Sequence, residues 1–297
     1  MRQRRWLAVQ VVGTVVLLGV AVRALDFGAI ADTLLDAHPG LAVGGWVLLL
    51  AGQLVSALRW RELAARRGVP GSPGWFGRVY LRGCFYNALL PTGLGGDAVR
   101  VALLRGVTST GAATRSVVSD RLLGFAALAV TAGVAIPFTA YLDAGPLQTV
   151  IFVGAGAVAI GVGALVASGR IPAWIARTAG WTLAYEAIWF AGVWCLAAAV
   201  GVSIAPAALP VVMLVVGVAL ALPLSVGGTG AREGAFVLAL TPLGIAAGPA
   251  VALGVEFGLA LALVGVVGAV VRVDRPAPER VAGSPASLSP EVTSWAR

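Results

Sequence analysis

The chain has 297 residues, 59% hydrophobic and 11% charged, and its net charge of +8 is carried by arginine with no lysine. A soluble domain carries about 25% charged residues, so a mean hydropathy of +0.93 excludes a water-soluble fold and makes the class a polytopic α-helical membrane protein. No basic soluble face is visible for nucleic acid, and two distant cysteines, Cys84 and Cys195, form neither a disulfide framework nor a metal site.

In chain order, the first predicted element is 6–25. It has a basic start and an apolar run from Trp6 to Val22, longer than the roughly 7–15 residues of a signal peptide's apolar region, so it reads as an uncleaved membrane helix. Further spans are expected at 41–59, 118–141, 147–168, 179–202 and 249–271, each near the ~20 residues that a bilayer core requires. Two apolar regions are interrupted. One, 75–106, contains Arg78, Arg82, Pro91 and Gly93; the other, 206–243, contains Pro223 and a run of glycines from Gly227. From 276 onward the Pro-, Ser- and Ala-rich sequence predicts a disordered tail.

Arginine enrichment marks cytoplasmic loops. With the N-terminus inside, six spans and both interrupted regions dipping in and returning, the inner loops receive Arg59, Arg61, Arg66, Arg67, Arg105, Arg115, Arg170, Arg177 and Arg272. The outer loops near 26–40 and 142–146 hold Asp26, Asp32, Asp36 and Asp143 instead. Each half, about 1–141 and 147–275, then reads as two spans, an interrupted region and one span. Three spans per half reverse the direction of the second half, which predicts an inverted repeat.

The interrupted regions carry one phrase twice. Leu90–Arg100 reads LPTGLGGDAVR and Leu222–Arg232 reads LPLSVGGTGAR, 132 residues apart. Proline and paired glycines break a helix, and broken backbone survives at membrane depth only where protein buries it or a cavity hydrates it. The helix that restarts after Gly95-Gly96 or Gly227-Gly228 is expected to aim free N–H groups at the break. Arg100 and Arg232 follow within a turn, and amides with a guanidinium suit a phosphate or carboxylate.

Acids complete the candidate set: Asp97 and Arg100, Asp120 and Arg121, Arg232 and Glu233, Glu256, and Glu186 in the fifth span. Charges within a membrane pair and face a bundle interior. Each has a plainer reading. Asp97–Arg100 and Arg232–Glu233 are also suitable as structural ion pairs, the latter near Glu256. Asp120-Arg121 also suits the start of the third span at the interface. Glu186 also suits the inner interface, and Arg78 and Arg82 suit headgroup contacts. A lone histidine, no P-loop and no cluster of metal ligands leave soluble-enzyme chemistry, cofactors and metals unsupported.

The stretches YNALLPTGLGGDAVRVALLR, SVVSDRLLG and LPLSVGGTGAREGAFVLAL resemble the lysylphosphatidylglycerol synthase transmembrane family. The likeness extends to the flippase domain of the multiple peptide resistance factor and covers most of 1–275. It places the family's motif positions on Asn87, Pro91, Gly95, Gly96, Asp97, Arg100, Asp120, Arg121, Gly227, Gly228, Arg232 and Glu233. It implies a plasma-membrane protein that moves an anionic or aminoacylated phospholipid between leaflets, with both termini cytoplasmic. Family members join this domain to a soluble aminoacyl-transferase domain, which residues 1–297 are not expected to contain. The alternatives are a membrane-embedded transferase acting on a lipid carrier, and a scaffold for a separately encoded lipid synthase.

Overall fold

The computed structural model describes residues 27–89, 95–139, 146–169, 173–222 and 228–274. These fold as ten α-helices with short 3₁₀ turns and, among the described residues, no strand. In chain order the helices are α1 (Phe27–Leu35), α2 (Pro39–Ala65), α3 (Pro73–Leu89), α4 (Gly95–Leu104) and α5 (Thr110–Ala135). They continue with α6 (Pro146–Ala167), α7 (Ala173–Ala199), α8 (Leu209–Ala221), α9 (Ala231–Leu240) and α10 (Ala247–Val270). The predicted first span 6–25, the tail from 276, and Pro91, Pro223 and Gly227 lie outside the described residues.

Four helices are long and apolar enough to cross a membrane: Pro39–Ala65, Thr110–Phe138 with its 3₁₀ extension, Trp174–Ala199 and Ala247–Val270. Their outer faces carry exposed Val43, Val47, Leu122, Leu183, Leu259 and Val266, the surface expected where lipid is the solvent. Two of the long helices begin at local caps. His38 Nδ1 accepts the Leu41 N–H ahead of α2, and Ser109 Oγ accepts the Ala112 N–H ahead of α5.

Three expectations are corrected. The segment 26–40 contains helix α1 rather than only a loop. The third predicted span begins at Thr110, eight residues before 118, so Asp120 sits inside α5 instead of opening it. Helix α2 continues to Ala65, which takes Arg59 out of the predicted inner loop and buries it at 4% exposure.

Helices α2 and α7 form the central antiparallel pair. The His38 N–H donates to Ala199 O at one end, and Arg177 pairs with Glu62 at the other. Between them Gly45 faces Leu196, Gly192 faces Leu49, and Gly52 faces Trp189. Each glycine admits the bulky residue opposite, so the backbones approach closely without a cavity.

The helices on either side of each interruption pack against each other, α3 on α4 and α8 on α9. The first pair is tight: a methyl on Gly96 would run into the Gly83 carbonyl. Matching α2 with α7, α3 with α8, α4 with α9 and α5 with α10 reveals an exchange pattern. The α3–α10 contact corresponds to α8–α5, α2–α5 to α7–α10, α2–α10 to α7–α5, and α4–α5 to α9–α10. One apolar core surrounds α8, whose Val211, Val212, Met213, Leu214, Val215 and Val216 are all buried. A second, smaller one joins Trp60, Trp75, Phe76, Val79, Leu104 and Val117. A cavity lies between the helices of both halves.

Candidate functional site

The cavity has a volume of about 820 Å³ and is lined by residues of both phrases: Asp97 and Arg100 from the first, Gly228, Thr229 and Arg232 from the second, with Glu233 beside it. Asn87, Asp120, Arg121 and Glu186 also line it. Chain segments more than a hundred residues apart are therefore brought to one polar chamber inside an apolar bundle.

On one wall five charges alternate. Arg59 on α2 donates from Nε to Asp120 Oδ1 at 2.9 Å. Arg100 on α4 donates from Nη2 to Asp120 Oδ2 at 2.9 Å, and from Nη1 to Asp97 Oδ1 at 3.3 Å. Arg121 on α5 bonds the other oxygen of Asp97. Asp120 is 2% exposed and holds two guanidinium groups, which is what makes such a chain tolerable in a low dielectric. The Arg100 guanidinium lies between two rings, with its Cζ 3.9 Å from the Trp60 centroid and 4.4 Å from that of Tyr80. The ring faces offer it negative potential.

The rings are themselves held. Tyr80 Oη and Ser56 Oγ are 2.8 Å apart, and Trp60 Nε1 donates to Ser116 Oγ at 3.3 Å. Arg59 also donates to Ser56 Oγ at 3.2 Å. Even so, two guanidinium groups keep a donor in reserve: Arg59 Nη1 and Arg100 Nε are buried with no hydrogen-bond partner among the described residues.

On the opposite wall Arg232 pairs with its neighbour Glu233. Both are seated on α10 by glycines one turn apart. The Arg232 guanidinium lies over Gly258, where a methyl would collide with it, and Glu233 lies over Gly254. The local backbone demands glycine as well: φ is +76° at Gly228 and +82° at Gly230, a region costly for any side chain.

One amide at each helix restart is taken up by a side chain. The Gly96 N–H donates to Asn87 Oδ1 at 2.7 Å, and the Gly230 N–H donates to Glu233 Oε2 at 2.6 Å. Asn87, on the preceding helix, and Glu233, just after the second phrase, thus cap the restarting helices. Gly95 and Gly96 are buried, and Gly96 lies against α3 at the Gly83 carbonyl. Gly227 lies outside the described residues.

Glu256 stands apart from Arg232. It accepts from Trp46 Nε1 at 3.2 Å and so ties α10 to α2. Glu186 is buried at 4% exposure, it lines the cavity, and neither carboxyl oxygen has a partner among the described residues. Arg82 donates to the Ala269 and Val271 carbonyls at the end of α10.

Arg59 is the residue that reading the sequence missed. Its signal was present in SALRW: a serine one turn earlier and a tryptophan beside it. Among the described residues no group of three or more His, Cys, Asp or Glu side chains is placed to hold a metal ion. No curated protein sequence matches the chain. A model of the lysylphosphatidylglycerol synthase TM region matches residues 6–179, more than half of the length, and the chain belongs to that family.

Proposed function

We propose that this protein is a flippase-like lipid translocase. The headgroup of an anionic or aminoacylated phospholipid enters the cavity and crosses between leaflets while its acyl tails stay in the bilayer. Membership of a family linked to membrane lipids supports the lipid half of the reading. The observation that carries the rest is the pair of unpartnered donors, Arg59 Nη1 and Arg100 Nε, in a cavity lined by both phrases. A buried donor without a partner costs about 1–3 kcal/mol, and a phosphate oxygen relieves that cost with a charge-assisted bond. Arg232 supplies a further cation from the opposite wall, and Asp97 and Glu233 balance the guanidinium groups.

The membrane arrangement belongs to the same proposal. Six spans, the first at 6–25, combine with two re-entrant broken-helix regions, α3–α4 and α8–α9, that enter from opposite faces as halves of an inverted repeat. Residues 1–275 form this unit, and both termini face the cytoplasm at the plasma membrane. The exchange pattern of helix contacts supports it. So does the length of α8, whose 13 residues span about 20 Å against a hydrocarbon core of about 30 Å.

The test is leaflet exchange of a fluorescent phospholipid in liposomes, read with a membrane-impermeant quencher. The wild type should quench beyond the protein-free plateau. The double variant Arg59→Lys/Arg232→Ala should be at least about tenfold slower, the loss of a hydrogen bond to a charged group; Lys keeps the charge facing Asp120 but removes Nη1. Equal rates in both proteins would reject the cavity as the route.

A further inference from the structure

We propose that Glu186 is a proton-binding site that sets the charge of the cavity, so that a phosphate group binds together with a proton. This deepens the translocase reading and rests on it. Among the described residues the ionisable charges lining the cavity are four arginines, Arg59, Arg100, Arg121 and Arg232, and four carboxyls, Asp97, Asp120, Glu186 and Glu233. The two undescribed breaks, 90–94 and 223–227, add no ionisable side chain. Three of the carboxyls are bonded to guanidinium groups. Glu186 is the fourth, and among the described residues no guanidinium group bonds its buried oxygens.

The sum decides the chemistry. With Glu186 ionised, the lining is four positive and four negative charges, and an anion meets no net attraction. With Glu186 protonated, the lining carries a net charge of +1, the complement of a phosphodiester. The donors that would meet the phosphate are Arg59 Nη1 and Arg100 Nε, which have no partner among the described residues. Proton and anion therefore favour each other by linkage.

The surroundings leave Glu186 as the group that titrates. Arg59 is the cation that α2 turns toward it, and that guanidinium is bonded to Asp120. From α5 the neutral hydroxyl of Thr131 faces it; Asp120 and Arg121 on that helix are paired, and Arg115 is exposed. Tyr185 precedes it on α7. Helix α8 has no ionisable residue, and on α10 the ionisable side chain is Glu256, held by Trp46.

The experiment is calorimetric titration of the detergent-solubilised full chain with dihexanoylphosphatidylglycerol, and separately with inorganic phosphate, in buffers of different protonation enthalpy. Binding of the lipid should take up as much as about one proton, and affinity should fall by up to about tenfold per pH unit as pH rises. Glu186→Gln, a neutral isostere of the protonated acid, should bind with wild-type acid-side affinity, no proton uptake and no pH dependence. Lipid binding by the wild type without proton uptake would overturn this proposal and leave the translocase reading standing, as would unchanged proton uptake in Glu186→Gln. No binding of either probe would overturn both. Proton-linked binding of inorganic phosphate with none of the lipid would keep the linkage and reject a lipid headgroup as its source.

Discussion

At the scale of single residues, the site is governed by how buried charges are divided. Asp120 serves two guanidinium groups at 2.9 Å each, while Asp97, with its side chain 14% exposed, serves the outer part of the chain. Removing one member of a buried pair leaves an uncompensated charge and costs about 3–5 kcal/mol. Asp120→Ala should therefore take the carboxylate from Arg59 and the closer of two carboxylates from Arg100, and lower thermal stability in detergent more than Asp97→Ala does. A fluorescence melting curve of each variant measures this. Equal melting temperatures would mean that solvent in the cavity, rather than Asp120, balances Arg59 and Arg100. The legible part here was the pairing of Asp97 with Arg100, three apart on one helix. Arg59 was hidden because an arginine near a span end has the same local sequence whether it snorkels or turns inward.

At the scale of helices, glycine has two distinct uses, and substitution separates them. Gly96 and Gly268 lie against backbone carbonyls, those of Gly83 and Leu81. A carbonyl cannot move without its helix, so Gly96→Ala and Gly268→Ala should separate α4 from α3 and α10 from α3, at about 1–3 kcal/mol each. Gly258 lies against the end of a flexible arginine. Gly258→Ala should keep the fold and the melting temperature but push the Arg232 guanidinium out of its seat, which slows exchange without loss of folded protein. Comparing yield, melting temperature and exchange rate across the three variants checks the distinction. The phrase itself announced the breaks, because proline and glycine act locally. It did not announce that each helix restart would be capped through Asn87 or Glu233.

At the scale of the molecule, the exchange pattern of contacts puts α5 against the second interrupted region and α10 against the first. Each half therefore completes the other's chamber, and one half folded alone would leave its charges without the opposite wall. The proposed inverted arrangement makes a topological prediction. In a background lacking Cys84 and Cys195, Ile245→Cys should react with a membrane-impermeant maleimide added outside intact cells. Reaction only after permeabilisation would reject opposite entry of the two re-entrant regions.

The sequence by itself determined the solvent, the helical class, the places where helices must break and the list of charges that a bilayer forces to pair. These follow from composition and from short-range rules of proline, glycine and hydropathy. Only the tertiary structure decided which charge meets which. Asp120 chose Arg59 and Arg100 over its neighbour Arg121. Glu256 turned to Trp46 instead of Arg232, and Glu186 lines the cavity without a guanidinium partner among the described residues. Pairing at membrane depth depends on which helix faces are pressed together, and that is set by packing between segments far apart in the chain.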